Sequence, residues 1–259
     1  MIRWRIITAT VIKELKTSEA GLSFIFKFVN DAGRAAALAW IIYQSGNLES
    51  LGFLTFGVAL IAVWTGTVAE GGWALETELA GKTLDFTLIS RTSMALVLFS
   101  KMLAQIIHEV PTGIVAAVTV MLVAHAVPDI ADPAELAVSL LLVIAGLSVV
   151  STFLGALVVL AGARAGVFMG IVPFGAVLSG FILPVGQLPL GLEILARFMP
   201  SSWAMDGAWN AITGTGTWAG LAGDWLIAIG VGAAWFLATV YLCRLVDKRI
   251  RIEGSLSAY

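Results

Sequence analysis

Charged and polar side chains interrupt the first long apolar stretch of the chain, and they could do chemistry there. This stretch carries Lys27, Asn30, Asp31 and Arg34. Lys27 and Asp31 are four residues apart and Asp31 and Arg34 are three apart, so on a helix these side chains can form ion pairs. A charge inside a membrane span is costly unless it is paired or hydrated. The group predicts either a polar vestibule on the cytoplasmic side or a self-neutralised cluster near that end of the span. A span that starts later, after a longer interfacial segment, would also explain it.

A second polar group, His108 and Glu109 beside Pro111, lies within another apolar stretch. A histidine next to an acid is typical of a proton relay or a metal site. A metal site needs three or four ligands, and His125 lies too far along the same stretch to share an ion. The sequence therefore favours a packed, hydrogen-bonded histidine beside a proline kink.

No arrangement of nucleophiles or phosphate-binding glycines predicts catalysis by this chain. Ser148, Ser151 and Ser179 have no Gly-x-Ser-x-Gly setting, and Cys243 is the single cysteine. The sequence also lacks the Gly-x-x-x-x-Gly-Lys-Ser/Thr pattern that binds nucleotide phosphates. We therefore expect no catalytic residue, no metal and no bound cofactor.

The elements that position these residues are predicted to be membrane-spanning helices. The chain has 259 residues, 59% apolar and 12% charged, against about 25% charged in a soluble domain. Its mean hydropathy is +0.96. A span needs about 20 apolar residues. The sequence predicts an all-α fold with six spans, at 22–43, 51–69, 95–127, 134–163, 167–183 and 218–243.

Lysine and arginine predict the orientation of these spans, since cytoplasmic loops carry the excess of both. They concentrate in the N-terminal segment, after spans two and four, and in the tail, whereas Arg197 is alone on the other side. Both termini of this inner-membrane protein are therefore expected in the cytoplasm.

Apolar residues at helical spacing predict an interfacial helix over 1–18, where scattered charges argue against a cleavable signal peptide. The net charge of −2 gives no reason to expect nucleic acid.

The segment 70–93, between spans two and three, is amphipathic and is predicted to be a cytoplasmic loop that contains a helix. Its pattern is an acid, a glycine, Thr-Leu-acid, a serine, and then a lysine in the next span. The residues are Glu78, Gly81, Thr83, Leu84, Asp85, Ser90 and Lys101. This pattern resembles the ABC-2 permease family, whose usual core is Gly-Thr-Leu-Glu. Here Lys82 separates Gly81 from Thr83, and Asp85 replaces the glutamate.

A second resemblance to the same family lies in 184–217, after span five. Pro184, Pro189 and Pro200 break regular helix, while the residues between them are too apolar for a solvated loop. Trp203 and Gly207 follow. In the family this segment re-enters the outer half of the membrane as short helices, and irregular backbone survives there only where protein or a cavity covers it.

The resemblance implies a permease subunit of an ATP-driven exporter. Two permease chains, identical or related, would pair in the lipid, and separate ATPase subunits would bind ATP and Mg²⁺. A coupling helix would dock on the ATPase. It would use Glu76, Glu78, Gly81, Lys82, Thr83, Leu84, Asp85, Phe86 and Leu88.

The resemblance also implies that the substrate passes between the two permease chains. Candidate wall residues are Asn30, Asp31, Arg34, Phe53, Phe56, Trp64, Phe168 and Phe174. For the aromatic residues, ordinary packing is the alternative. A small amphipathic drug or antibiotic, or a lipid, is favoured as substrate, and a polysaccharide is the alternative. An ion-coupled secondary transporter would predict matching broken helices in both halves, and the sequence shows one broken region.

Overall fold

The computed structural model describes residues 7–13, 22–45, 51–80, 93–161 and 166–253. A short helix, α1, covers residues 7–13 within the predicted interfacial segment. The other helices are α2 (Leu22–Ser45), α3 (Leu51–Ala80), α4 (Met94–Ala124), α5 (Pro133–Ala161), α6 (Gly166–Leu178), a 3₁₀ turn (Val185–Gln187), α7 (Leu190–Ala196), α8 (Pro200–Thr213) and α9 (Trp218–Glu253). The described residues form helices and turns without a strand, so the all-α prediction is confirmed for them.

Four of these helices contain a segment long and apolar enough to cross a membrane. The segments are Leu51–Trp73, Met94–Ala124, Pro133–Leu160 and Trp218–Leu245. The chain is therefore a multi-pass membrane protein by the length and composition of its helices, and the prediction of six spans is not confirmed. Helix α2 is long enough, but Lys27, Asp31 and Arg34 make it more polar than the four, and α6 has only 13 residues.

Helix α3 ends later than the sequence indicated. The second span was predicted to end at residue 69, before Gly71 and Gly72, yet the helix continues through Ala80. Gly71 lies against Met102 of α4, where an added Cβ would be 3.0 Å from the methionine side chain. These glycines are used for close helix packing rather than for a turn, because a missing side chain lets two helices approach.

The centre of the fold is a pair of long helices, α3 and α4, that pack along their length. Gly113 of α4 lies against the Ala59 carbonyl and the Val63 side chain of α3. Helix α2 packs mainly on α4, and its outer face exposes apolar side chains such as Trp40 and Ile41. Helices α5, α8 and α9 form the other side of the bundle, where Trp225 Nε1 donates to Ser139 Oγ at 2.9 Å.

The fifth predicted span is discontinuous. Helix α6 contains Pro173 and ends at Leu178, after which Gly180 adopts a left-handed φ of 76°. Pro200, at the start of α8, packs on Gly146 near the middle of α5. At the other end of α8, the Ile212 carbonyl accepts a hydrogen bond from Ala131 N, just before α5 begins. Helix α8 therefore covers the half of the bundle that α6 does not reach.

The segment between α6 and α8 turns sideways within the bundle. The 3₁₀ turn and α7 enclose a small core in which Val185, Leu188 and Ala196 are buried. Trp235 Nε1 of α9 donates to the Phe198 carbonyl at 2.7 Å, which ties the end of this segment to the bundle. The outer face of α7 exposes Leu190, Ile194 and Leu195. We conclude that the prolines mark a break between two half-length helices.

Candidate functional site

A buried ion pair joins α2 to α4 near the centre of the bundle. Lys27 Nζ contacts Glu109 Oε1, and Glu109 is the middle residue of α4. The lysine side chain is 18% exposed and the glutamate side chain is fully buried. The spacing allowed Lys27 to pair with Asp31 on its own helix. In the described conformation Lys27 instead pairs with Glu109, because α2 packs so that Lys27 faces α4.

The two carboxylate oxygens of Glu109 have different surroundings. Oε1 accepts a hydrogen bond from Gln105 Nε2 at 3.1 Å and lies 3.5 Å from His108 Nδ1, in addition to Lys27. Oε2 has no hydrogen-bond partner among the described residues. An unpartnered buried carboxylate oxygen is costly. Oε1 therefore lies near three nitrogen atoms that can donate a hydrogen bond, whereas Oε2 has no donor among the described residues.

Thr112, one turn after Glu109, is a second buried polar group without a partner. Its hydroxyl is fully buried and has no hydrogen-bond partner among the described residues. Hydroxyls elsewhere in the described helices instead donate to the carbonyl four residues earlier. Examples are Thr55, Thr67, Ser100, Thr119, Ser148 and Thr239. Two unsatisfied polar atoms thus lie one turn apart in the middle of α4.

Gly66 of α3 covers this site. A Cβ added at Gly66 would overlap the Glu109 carboxyl and would lie 2.7 Å from Lys27 Nζ. Helix α3 therefore cannot contribute a side chain here, and the glycine allows the buried ion pair to form against its backbone. The sequence pattern did not indicate this role, because Gly66 lies in an apolar run without any neighbouring turn signal.

The remaining polar residues of α2 form a separate pair. Arg34 contacts Asp31, whose side chain is 4% exposed, while the arginine side chain is 45% exposed. This i, i+3 pairing agrees with the sequence prediction, and Asn30 beside it is exposed. Asp31 and Glu109 are thus two buried carboxylates, each held by a different cation of the same helix.

A second polar cluster lies around the discontinuous segment. Arg197 contacts Asp206 of α8, lies 3.9 Å from Glu193, and has its guanidinium 4.5 Å from the centroid of the Trp203 ring. Trp203 Nε1 donates to the Arg197 carbonyl at 3.0 Å. The sequence identified Arg197 as the one cation predicted on its side of the membrane but did not place it at a site. Its partners are brought together by the turn between α7 and α8.

The aromatic residues suggested as pathway walls have different environments. Phe53 and Trp64 are buried in the core, and Phe56 packs against that core. Trp64 Nε1 donates to the Val172 carbonyl of α6 at 2.9 Å. Phe174 is 66% exposed on α6, and the side chain of Phe168 lies outside the described residues. A role of these residues in a substrate pathway stays a prediction.

Most residues of the predicted coupling helix lie outside the described residues. Glu76 is partly exposed near the end of α3, and Glu78 belongs to the same helix, although its side chain is not described. The residues at 81–88, including Gly81, Lys82, Thr83, Leu84, Asp85, Phe86 and Leu88, are not described. Over the described helices, no group of three or more histidine, cysteine or acidic side chains could hold a metal ion.

These features define a multi-pass helical membrane protein with a buried ion pair in its bundle and a broken helix beside a second charged cluster. A scan of the sequence against models of known protein families finds no match, and a search of curated proteins finds no match.

Proposed function

We propose that this chain is the permease subunit of an ATP-driven exporter of the ABC-2 type. Two permease chains pair in the cytoplasmic membrane, and separate ATPase subunits, which bind ATP and Mg²⁺, dock on the cytoplasmic side. The transported substrate is an amphipathic small molecule, such as a drug or antibiotic, or a lipid. This chain hydrolyses nothing itself and supplies the path.

The observation that carries the proposal is the broken helix formed by α6 and α8. The described residues of each half span about 20 Å, from 13 and 14 residues at about 1.5 Å each, against about 30 Å for the hydrocarbon core. Irregular backbone at membrane depth occurs where protein or a water-filled cavity covers it, so the break supports a transport path through the protein. Arg197 and Asp206 place charge beside this break, where a path would need polar groups.

The length of α3 supports a docking site for a soluble partner. Its 30 residues extend about 45 Å, which exceeds the hydrocarbon thickness by several turns. By the lysine and arginine distribution, the end at Ala80 is the cytoplasmic end. The Ala80 end of this helix therefore extends beyond the bilayer surface, which supports docking of an ATPase on this side.

A second candidate function is ion-coupled secondary transport, and the buried Lys27–Glu109 pair favours it. Ionisable groups inside membrane helices commonly belong to proton or ion pathways. Helix α6–α8 is, however, the only broken helix among the described residues, and secondary transporters with repeats have two. Transport of a polysaccharide by the same ATP-driven machinery is the alternative within the first proposal.

The proposal is tested by purifying the tagged chain from its native membrane in mild detergent. We expect a soluble ATPase subunit to co-purify and to hydrolyse ATP. A double substitution, Leu84→Arg with Asp85→Arg, places charge in the proposed docking motif and should remove that subunit. The matched control is Leu245→Arg, which adds a charge near the same predicted end of the bundle, away from the motif, and should keep the subunit bound.

Two results would contradict the proposal. If the wild-type chain purifies without any ATPase, the ATP-driven function is wrong and ion-coupled transport is the function to test. If an ATPase binds wild type and the Leu84→Arg, Asp85→Arg variant equally, the predicted coupling helix is wrong.

A further inference from the structure

We propose that Glu109 is a proton-binding site inside the helix bundle, at which a proton and the Lys27 ammonium compete for one carboxylate, and that Lys27 moves to Asp31 when the proton binds. This goes beyond the proposed export function, because it assigns a proton to a site in the permease itself.

The first argument is the unsatisfied half of the carboxyl group. Glu109 Oε2 and the Thr112 hydroxyl are both buried without a partner among the described residues. A carboxylate oxygen can only accept hydrogen bonds, whereas a protonated carboxyl also donates one. Protonation of Glu109 would therefore turn an acceptor that lacks a donor into a donor.

The second argument is the size of the ligand that the site can take. Gly66 packs so closely on the Glu109 carboxyl that an added Cβ would overlap it. Side chains on the α3 side are excluded, and the Oε1 side already holds Lys27, Gln105 and His108. A proton needs no additional room, so it fits a carboxyl that is enclosed in this way.

The third argument is that Lys27 has a second acid within reach. Asp31 is one turn along α2, which is the spacing at which side chains on a helix meet. Asp31 is held by Arg34, whose side chain is 45% exposed, and the two oxygens of a carboxylate can accept from two cations. Lys27 can therefore leave Glu109 for Asp31 without becoming an unpaired charge, while Arg34 keeps its partner.

The exchange balances in charge and in protons. In the described conformation, Lys27 pairs with the Glu109 carboxylate and Arg34 pairs with the Asp31 carboxylate. In the exchanged state, Lys27 and Arg34 share the Asp31 carboxylate. Glu109 forms one O–H bond with a proton taken from water, because an ionised carboxyl without a counter-charge is unfavourable in an apolar interior. One proton is bound and no other bond changes.

The charged surroundings of Glu109 are few enough to make the competition simple. Its ionic contacts among the described residues are Lys27 from α2 and His108 from α4 itself, while Gly66 of α3 lies against the carboxyl group. Lys27 is the closest cation, and it belongs to the helix that packs at the edge of the bundle. Proton binding is thereby linked to the position of α2 against α4.

The test is chemical labelling of the full chain in lipid vesicles with dicyclohexylcarbodiimide, which reacts with protonated carboxyls in apolar surroundings. Labelling at Glu109 is measured by peptide mass spectrometry over a pH series. We expect wild-type labelling to increase as the pH falls. Lys27→Met should increase it about tenfold or more near neutral pH, since loss of a neighbouring opposite charge favours the protonated form by that order. Lys27→Arg keeps the charge and should label like wild type.

Two further variants test the exchange with opposite expectations. Arg34→Gln frees Asp31 to attract Lys27 and should increase labelling of Glu109. Asp31→Asn removes the alternative acid and should decrease it below wild type. General loosening of the fold would increase labelling in both variants, so opposite shifts identify the exchange.

The outcomes are decisive in either direction. Equal labelling of Lys27→Met and Lys27→Arg would overturn the proton site, and shifts in one direction for Asp31→Asn and Arg34→Gln would overturn the move to Asp31. If a Lys27 variant does not fold, infrared spectroscopy of wild type decides instead. A pH-dependent protonated-carboxyl band that disappears in Glu109→Gln supports the site, and its absence overturns it. Labelling needs no ATPase, so its failure leaves the proposed export function standing.

Discussion

At the scale of single residues, Gly66 determines which groups can meet at the centre of the bundle. Because it has no side chain, Lys27 from α2 and Glu109 from α4 can pair directly against the α3 backbone. Gly33 on α2 provides a contrast, since an added Cβ there would meet nothing within 4 Å. The two glycines look alike in the sequence and have different environments.

We therefore expect Gly66→Ala to destabilise the protein by about 1–3 kcal/mol, because the added methyl group must displace the buried ion pair. Gly33→Ala should leave stability unchanged or increase it by up to about 1 kcal/mol, since alanine favours helix and the position is open. Thermal unfolding of both variants in detergent measures the difference. Equal effects of the two substitutions would show that Gly66 does not pack on Glu109 as described.

The partner of Lys27 illustrates what the sequence could and could not predict at this scale. The sequence places Asp31 one helical turn away, and local spacing is visible without a fold. Glu109 is 82 residues away, and its pairing depends on how α2 packs against α4. The polar character of these residues was thus predictable, while the choice between two acids was set by tertiary packing.

At the scale of elements, the start of α5 is fixed by a capping residue that the sequence displays. Asp132 Oδ1 accepts hydrogen bonds from the backbone N–H groups of Ala134 and Glu135, at 3.0 Å and 3.1 Å, and Pro133 follows it at the first helical position. This satisfies amides that otherwise lack an intrahelical partner. The same loop bonds to the end of α8, so the cap also positions the broken helix.

Asp132→Ala should lower the free energy of unfolding by about 0.5–2 kcal/mol, the range for loss of an N-terminal cap. Asp132→Asn keeps an acceptor oxygen and should lose much less. Thermal or denaturant unfolding of the purified chain checks both. A loss from the asparagine variant as large as that from alanine would mean that the negative charge, and not the cap, stabilises this turn.

Apolar runs predicted α4, α5 and α9 to within a few residues at most ends, because a helix that is apolar enough to cross a membrane needs little more than continuous hydrophobicity. The C-terminal end of α4 came three residues earlier than the predicted 127, where His125 adopts a left-handed φ of 51°. The sequence did not predict that α3 continues to Ala80, because adjacent glycines resemble a turn unless the packing of Gly71 on Met102 is known. The prolines predicted the break after α6, but they did not predict that α8 begins beside the middle of α5, where Pro200 packs on Gly146.

At the scale of the whole molecule, the two ends of the bundle differ in their chemistry. One end gathers the start of α3, the loop 125–132 and the end of α8, where Gly52 lies against Ile212 and Pro128. The other end is an apolar cluster from α3, α4, α5 and α9, beside the basic residues Arg244 and Lys248 of α9. The positive-inside tendency predicts that the second end faces the cytoplasm.

This orientation predicts which positions a membrane-impermeant maleimide reaches on intact cells. In a Cys243→Ala background, Asp129→Cys and Thr215→Cys should be labelled from outside, because both positions are exposed at the first end. Lys248→Cys should be labelled only after the membrane is opened. The inverse pattern would reverse the orientation, and labelling of only one of the two outer positions would show that the loops do not share a side.

The broken helix has a consequence for how the protein is made. The insertion machinery recognises a span by about 20 apolar residues, and neither α6 nor α8 offers that length alone. Helix α6 must instead be retained by helices that entered the bilayer before it, through contacts such as Trp64 with Val172. Nascent chains that stop at Leu178 should leave α6 weakly integrated, whereas chains extended through Thr213 should gain a stable crossing. Insertion of α6 is thus coupled to assembly of the helices that precede it.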